Sequence, residues 1–148
     1  MESTVLLPKP TPTDRSVTHF FTKVVGVTHK NEDGSSRQDA IESLNPIDKL
    51  ELENEDDNTV DPNAVAVLSP YGEQVGYLSR ALAEEVMHGS EQGKCYAVYV
   101  KDITGEPPRL GVNVVVIVVE PGVSNEFINS RLQQICDQVV PGWHIHIE

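Results

Sequence analysis

The most constraining feature of this sequence is the stretch from Asn54 to Arg80, in which two tight turns separate short apolar runs. The segment Asp61–Asn63 (Asp-Pro-Asn) is a turn signal, because proline restricts φ and the flanking side chains bond their own backbone. The segment Ser69–Gly72 (Ser-Pro-Tyr-Gly) is a second one, and its glycine accepts a positive φ. The runs on either side of this second turn predict a β-hairpin.

We expect a polar functional site where the two ends of that hairpin meet. Asp61 lies where the chain enters the hairpin, and Tyr77 and Arg80 lie where it leaves. Both ends of a two-stranded hairpin are close in space, so these side chains are expected to form one small site. Ser79 is a suitable N-cap for a following helix, which Gly89 is expected to end.

Alternation and turn spacing predict strands elsewhere in the chain, and helical spacing predicts three helices. The first strand is predicted within Phe20–Thr28, and the sheet is predicted to contain Lys23–Thr28, Lys49–Glu53, Ala64–Leu68, Gln74–Leu78, Cys95–Lys101 and Val112–Val119. The predicted helices are Arg37–Leu44, Arg80–Met87 and Ser124–Val139. The expected fold is mainly β, a small OB-like or SH3-like antiparallel barrel with peripheral helices, including a C-terminal one.

Composition divides the chain into three segments. Residues 1–19 are rich in Pro, Thr and Ser and are expected to form a disordered arm,. Residues 20–120 form the β-barrel domain. Residues 121–148 form a helix and a strand-like tail packed on that domain, with Phe127, Ile128, Leu132 and Ile135 as the buried face of the helix.

The charge balance is strongly acidic, with a formal net charge of −12. Such a charge disfavours non-specific binding to a polyanion, which depends on cations that displace the counterions of phosphates. Much of the negative charge lies between Asp48 and Asp61. Neither a signal peptide nor an apolar run of transmembrane length is visible, so we expect a cytoplasmic protein.

No metal or cofactor is predicted, although two groups of residues carry side chains that can bind a metal ion. His144 and His146 share one face of a strand, but an exposed strand edge is the simpler explanation. The acidic cluster Glu51–Asp57 offers oxygen ligands for Mg²⁺ or Ca²⁺, yet it lacks the spacing and glycine of an EF-hand. Cys95 and Cys136 have no CxxC partner, and two buried free thiols are favoured over a disulfide.

No catalytic set is visible either. The sequence contains no P-loop, GxSxG or HExxH motif, so we expect a protein that is not an enzyme. Asp61 and Asp102 could serve as acid and base in an uncharacterised hydrolase, which is the weaker alternative.

One family pattern does match. Its elements are Val25-Gly26-Val27, Ser36-Arg37-Gln38, Asp48-x-Leu50-x-Leu52, Asp61-x-Asn63-Ala64-Val65-x-Val67 and Gly76-Tyr77-Leu78. From about Phe20 to Val119 the sequence resembles the HIRAN domain, which occurs in Swi/Snf-type remodelling ATPases and in free-standing bacterial proteins. This chain is similar to the free-standing type. The resemblance implies an OB-like barrel that holds the 3′ end of single-stranded DNA.

The resemblance also implies roles for four residues. Asp61 would accept a hydrogen bond from the terminal 3′-hydroxyl, Arg37 and Arg80 would contact phosphates, and Tyr77 would line the pocket. A carboxylate accepts a hydroxyl donor but repels a terminal phosphate, which would explain selectivity for the end. Val60 and Gln38 occupy places where DNA-gripping members have aromatic residues, so weak binding is expected.

These residues also have structural explanations. Asp61 serves the turn, Arg37 lies in the first turn of a helix, and Arg80 can pair with Glu84 one helical turn away.

The sequence therefore supports two classes of function. The first is a non-catalytic module that binds single-stranded DNA ends in repair or replication. The alternative is an acidic protein-interaction module that docks on a DNA-processing partner such as a helicase or nuclease. The charge around Tyr77 discriminates between them, because a basic pocket favours DNA and an acidic one favours protein.

Overall fold

Alternating apolar and polar residues build most of the structure, a computed structural model that describes residues 15–139. Over this range the elements are β1 (Val17–Lys23), α1 (Arg37–Glu42), β2 (Lys49–Asn54), β3 (Val65–Leu68), β4 (Gln74–Tyr77), α2 (Arg80–Glu91), β5 (Cys95–Thr104), β6 (Gly111–Val119) and α3 (Asn125–Val139). The predicted arm as far as residue 14 and the tail from residue 140 lie outside the described residues.

The strands form one antiparallel sheet of six strands in the order β1-β6-β5-β2-β3-β4. The predicted hairpin is β3 and β4, joined by the turn at Ser69–Gly72. Leu50 of β2 points into the core, whereas Lys49 and Glu51 are exposed, as their alternation predicted. The expected mainly β, antiparallel fold with peripheral helices is therefore confirmed.

The sheet curls because the segment after β1 changes its pairing partner. The Val24 amide still donates to the carbonyl oxygen of Val112, in β6, at 3.1 Å. Val25 then exchanges two backbone hydrogen bonds with Tyr77 of β4, at 2.8 and 2.9 Å. This single bridge links the two ends of the strand order, so the sheet is barrel-like without being closed by a continuous ladder.

The first strand lies further toward the N-terminus than the sequence predicted. It spans Val17–Lys23, and only the bridge at Val25 remains of the predicted pairing up to Thr28. The chain leaves the sheet at Gly26, whose φ of 71° is easily adopted only by glycine,. Val17 was assigned to the disordered arm because the segment is rich in Pro, Thr and Ser, but its side chain is buried on the outer face of the sheet in the second core.

Helix α2 also ends later than expected. Gly89 lies inside the helix, which continues to Glu91 and is followed by Gly93 with a φ of 90°. A side chain at Gly89 would collide with the hydroxyl of Tyr96, so glycine serves close packing there rather than a helix end.

Two apolar cores lie on the two faces of the sheet. The main core fills the inside of the curved sheet and includes α1 and α2 residues. The second lies between the outer face and α3, where Ile135 packs with Val17, Tyr99, Val115 and Ile117. Strand β6 contributes to both cores, which explains why its apolar run is continuous,.

Cys95 and Cys136 do not form a disulfide. Cys136 is buried on α3 as predicted, whereas Cys95 at the start of β5 is exposed, contrary to the prediction. None of the helices within residues 15–139 is long and apolar enough to cross a membrane.

The backbone bridge between Val25 and Tyr77 depends on the absence of a side chain at Gly76. A Cβ there would lie 2.6 Å from Val24 Cγ1 and press on the carbonyl oxygen of Val25, so Gly76→Ala should lower the free energy of unfolding by about 3 kcal/mol,. Gly72→Ala is the control, because its positive φ is the only obstacle and costs about 1 kcal/mol,. Urea unfolding measures both, and equal losses would contradict the close approach.

The second core predicts that α3 stabilises the domain. Ile135→Ala should lower the free energy of unfolding by about 2–5 kcal/mol, because its side chain is fully buried,. Leu132→Ala should cost less, since Leu132 is only partly buried. Gln138→Ala, on the exposed side of α3, should have no measurable effect. Equal stability of the Ile135 variant and the wild type would show that the helix is not held on the sheet.

Candidate functional site

The loop between β2 and β3 is organised by the side chain of Asn58. Its Oδ1 accepts hydrogen bonds from the amides of Val60 and Asp61, at 2.9 and 3.0 Å. Its Nδ2 donates to Glu55 Oε1 at 3.2 Å. These bonds hold the acidic loop in one conformation and place Asp61 at the entrance of the hairpin.

Asp61 has the predicted turn role and a second contact that the sequence did not predict. Its Oδ1 accepts a hydrogen bond from the Asn63 amide at 3.0 Å, which is the turn interaction. Its Oδ2 lies 3.7 Å from Nε of Arg80, whose side chain is 75% exposed. Arg80 therefore pairs with Asp61 across the end of the hairpin, although the sequence also provided Glu84, one turn along its own helix, as a partner. A carboxylate has about four acceptor positions, so Asp61 retains capacity for a ligand.

Tyr77 stands at the centre of this end of the molecule. Its hydroxyl donates to Glu55 Oε1 at 2.8 Å, and Cζ of Arg37 lies 5.2 Å from the centre of its ring. Burial raises the pKa of the Tyr77 hydroxyl above its ordinary value, and the nearby Glu55 carboxylate raises it further, although Gln74 and Arg37 act in the opposite direction. Tyr77 is thus a neutral hydrogen-bond donor at neutral pH.

Arg37 is largely enclosed by the protein, with only 7% of its surface exposed. Its Nε donates to Asn31 Oδ1 and its Nη1 to the carbonyl oxygen of Gly26, both at 2.7 Å. The guanidinium therefore ties the loop after β1 to α1 and supports the face of Tyr77. The sequence predicted a phosphate ligand or a simple helix residue, and the structure shows an internal connector.

Gln38 has a similar structural task. Its Nε2 donates to the carbonyl oxygens of Val27 and Leu110, at 2.9 and 3.0 Å, and its Oε1 accepts from the Leu110 amide at 2.7 Å. Gln38 occupies one of the two positions where DNA-gripping members have an aromatic residue, and here it links α1 to the start of β6. Val60, at the other place, is 87% exposed and offers apolar contact only.

Two depressions meet at Tyr77. The first, which we call the Asp61 pocket, has a volume of about 260 Å³ and is lined by Asn58, Asp61, Ala64, Tyr77, Leu78, Arg80 and Ala83. The second, the acidic groove, has a volume of about 430 Å³ and is lined by Asn31, Glu32, Asp33, Ser35, Arg37, Glu53, Glu55, Leu68, Gly72, Glu73, Gln74 and Tyr77. Three predicted site residues thus share one pocket, whereas Arg37 lines the neighbouring groove.

The two depressions differ in charge. The Asp61 pocket holds one carboxylate and one guanidinium. The acidic groove holds five carboxylates and only the enclosed guanidinium of Arg37. A phosphate is therefore repelled from the groove, whereas the exposed Arg80 offers it a partner at the pocket.

Carboxylates and histidines are common ligands of metal ions in proteins. Within residues 15–139 no three His, Cys, Asp or Glu side chains are grouped closely enough to hold a metal ion. His144 and His146 lie outside the described residues.

The family model for the HIRAN domain matches residues 17–119. The chain belongs to the HIRAN domain family. This family is generally associated with DNA binding. The match confirms the resemblance carried by the Asp-x-Asn-Ala-Val and Gly-Tyr-Leu segments. A comparison with functionally characterised proteins found no match.

Two solved structures are similar to this HIRAN protein. The crystal structure of the HIRAN domain of human HLTF matches with a TM-score of 0.54 at 15% identity, covering 90% of this chain and 99% of that one. A protein from Lactobacillus plantarum matches with a TM-score of 0.50 at 17% identity, covering 68% of this chain and 95% of that one. At these identities the likeness shows the fold, an OB-like barrel.

Sequence reasoning missed the residues that support the site. Asn31, Glu55 and Asn58 hold Arg37, Tyr77 and the Asp61 loop in place. Asn58 comes directly after the acidic run Glu55-Asp56-Asp57, and an asparagine in such a polar loop is a weak signal for an amide that organises the loop,. Glu55 is 22 residues from Tyr77 and Asn31 is six residues from Arg37, and neither residue carries a local signal for its contact.

The enclosed guanidinium predicts a large effect on stability. Arg37→Met should lower the free energy of unfolding by about 3 kcal/mol, because the Gly26 carbonyl and the Asn31 amide lose their donor,. Arg37→Lys should recover only part of this loss, since one ammonium cannot reproduce the two directed bonds.

Arg80→Ala is the matched control, since it removes the same charge from an exposed position and should change stability by less than about 0.5 kcal/mol,. Chemical denaturation followed by circular dichroism measures all three variants. Equal stability of Arg37→Met and the wild type would contradict the connector role.

Proposed function

We propose that this HIRAN protein is a non-catalytic module that binds the 3′ end of single-stranded DNA in the Asp61 pocket. The observation that supports the proposal is the pairing of Asp61 with the exposed Arg80 at 3.7 Å, at the mouth of the pocket. Asp61 can accept a hydrogen bond from a hydroxyl, and the adjacent Arg80 can bind a phosphate. The 3′ end of a DNA strand presents both groups, a terminal hydroxyl and a nearby phosphodiester.

The proposed recognition follows from the chemistry of these two groups. Asp61 accepts a hydrogen bond from the terminal 3′-hydroxyl and repels a terminal phosphate. Arg80 turns from Asp61 to the last phosphodiester, at little cost because an exposed pair at this distance stabilises weakly,. Tyr77 forms the wall of the pocket, and Arg37 holds the ring of Tyr77 rather than a phosphate.

The binding is expected to be weak. Val60 has no π-face, and Gln38 is occupied with Val27 and Leu110, so two stacking contacts of about 1–3 kcal/mol each are absent,. The acidic groove adds repulsion on one side of Tyr77. A helicase or nuclease partner would supply the enzymatic step in repair or replication.

Substitution of Asp61 tests the proposal. The wild type should bind a short oligonucleotide with a 3′-hydroxyl about tenfold more tightly than one with a 3′-phosphate, because of the charge of Asp61. Asp61→Asn should remove this preference. Arg80→Ala should weaken both ligands alike. Fluorescence anisotropy at low salt measures the six affinities of these three proteins for the two oligonucleotides.

Asp57→Asn is the matched control, because it removes the same charge from an exposed residue outside the pocket. It should leave the preference for the 3′-hydroxyl intact. Wild-type protein that binds neither oligonucleotide at millimolar concentration, or that binds both equally, would contradict the proposal.

The acidic groove favours a second candidate function, a protein-interaction module that docks on a basic segment of a DNA-processing partner. Glu32, Asp33, Glu53, Glu55 and Glu73 all line this groove beside Tyr77. The two functions are distinguished by their ligands. A protein that binds a lysine-rich peptide through the groove carboxylates but neither oligonucleotide would have the second function.

A further inference from the structure

The outer face of β1 carries an aromatic and basic patch that the Asp61 pocket does not include. We call it the Phe21 patch, and it consists of His19, Phe21, Lys23 and Lys101. Phe21 is 53% exposed, an unusual exposure for phenylalanine,. His19, Phe21 and Lys23 alternate along one strand and therefore project from the same face,.

Two direct contacts hold the patch together. The ring of His19 meets that of Phe21 edge to face, with 5.6 Å between the ring centres. The ammonium of Lys101, from β5 on the other side of β6, lies 5.6 Å from the centre of the Phe21 ring. Lys101 pairs with the carboxylate of Asp102 at 3.5 Å, and Asn113 donates a hydrogen bond to the same carboxylate.

We propose that the Phe21 patch is a second contact surface for single-stranded nucleic acid. A base stacks on the ring of Phe21, while Lys101 and Lys23 contact the adjacent phosphates. An aromatic platform flanked by cations is the combination that binds single strands without sequence preference. In a chain of net charge −12, cations gathered around an exposed ring form a local site for an anion,.

The position of the patch fits a strand that also reaches the Asp61 pocket. Val25 continues the same face of the chain and pairs directly with Tyr77, which lines that pocket. From Phe21 to Val25 an extended backbone covers about 13 Å, four residues at roughly 3.3 Å each. The patch can therefore hold nucleotides that precede a 3′ end bound in the Asp61 pocket. It can also bind a strand that has no 3′ end.

A circular oligothymidine, which has no 3′ end, tests the patch separately from the pocket. With the full chain, Phe21→Ala should weaken its binding about tenfold, the loss expected for one stacked base. Phe21→Trp should bind at least as tightly as the wild type. Lys101→Ala should weaken binding and make the slope of log K against log salt shallower by about 0.7, the value for one lost phosphate contact.

Two control variants match these changes elsewhere on the surface. Tyr71→Ala removes an exposed aromatic ring from the β3–β4 turn, and Lys94→Ala removes one positive charge just before β5. Neither should change the affinity or the salt slope. Equal effects of Phe21→Ala and Tyr71→Ala would overturn the proposal, with unchanged urea midpoints showing that the variants are folded.

The outcomes separate this inference from the proposed end recognition. Binding of the linear 3′-hydroxyl oligonucleotide without binding of the circle would overturn the patch and leave the Asp61 pocket standing. Binding of the circle that depends on Phe21, together with indifference to the 3′ group, would support the patch and contradict the end pocket.

Discussion

The backbone bridge between Val25 and Tyr77 is the contact on which the rest of the structure depends. It joins the segment after β1 to β4 and so turns a six-stranded sheet into an open barrel. It exists because Gly76 has no side chain to separate the two backbones. The same Tyr77 lines both depressions, so the barrel closure and the candidate site share one residue.

Arg37 connects this bridge to the neighbouring loop. Its guanidinium binds the carbonyl oxygen of Gly26, immediately after Val25, and faces the ring of Tyr77. Gln38 continues the connection to Leu110. In this chain, therefore, two residues of the family pattern maintain the geometry of the site, and the charged groups of the Asp61 pocket are the exposed Arg80 and the partly exposed Asp61.

The net charge of −12 is distributed unevenly, and three local surfaces differ in their charge. The acidic groove holds five carboxylates, the Asp61 pocket pairs one carboxylate with one guanidinium, and the Phe21 patch places Lys101 over an exposed aromatic ring. At physiological salt the Debye length is about 8 Å, so a charged group at the surface is influenced mainly by the nearest of these charges. Whole-chain charge is a poor guide to what such a molecule binds.

Local information in the sequence determined the hairpin, the antiparallel sheet, the α3 face and the turn role of Asp61, because alternation, turn residues and helical spacing act over a few positions. Only the tertiary structure decided where β1 lies, why Gly89 is a glycine, and that Asp61 pairs with Arg80. It also decided that Arg37 is enclosed and that Phe21 meets Lys101. Each of these depends on residues that are distant in sequence, and the pairing of such residues is set by how the sheet curls and not by any local pattern.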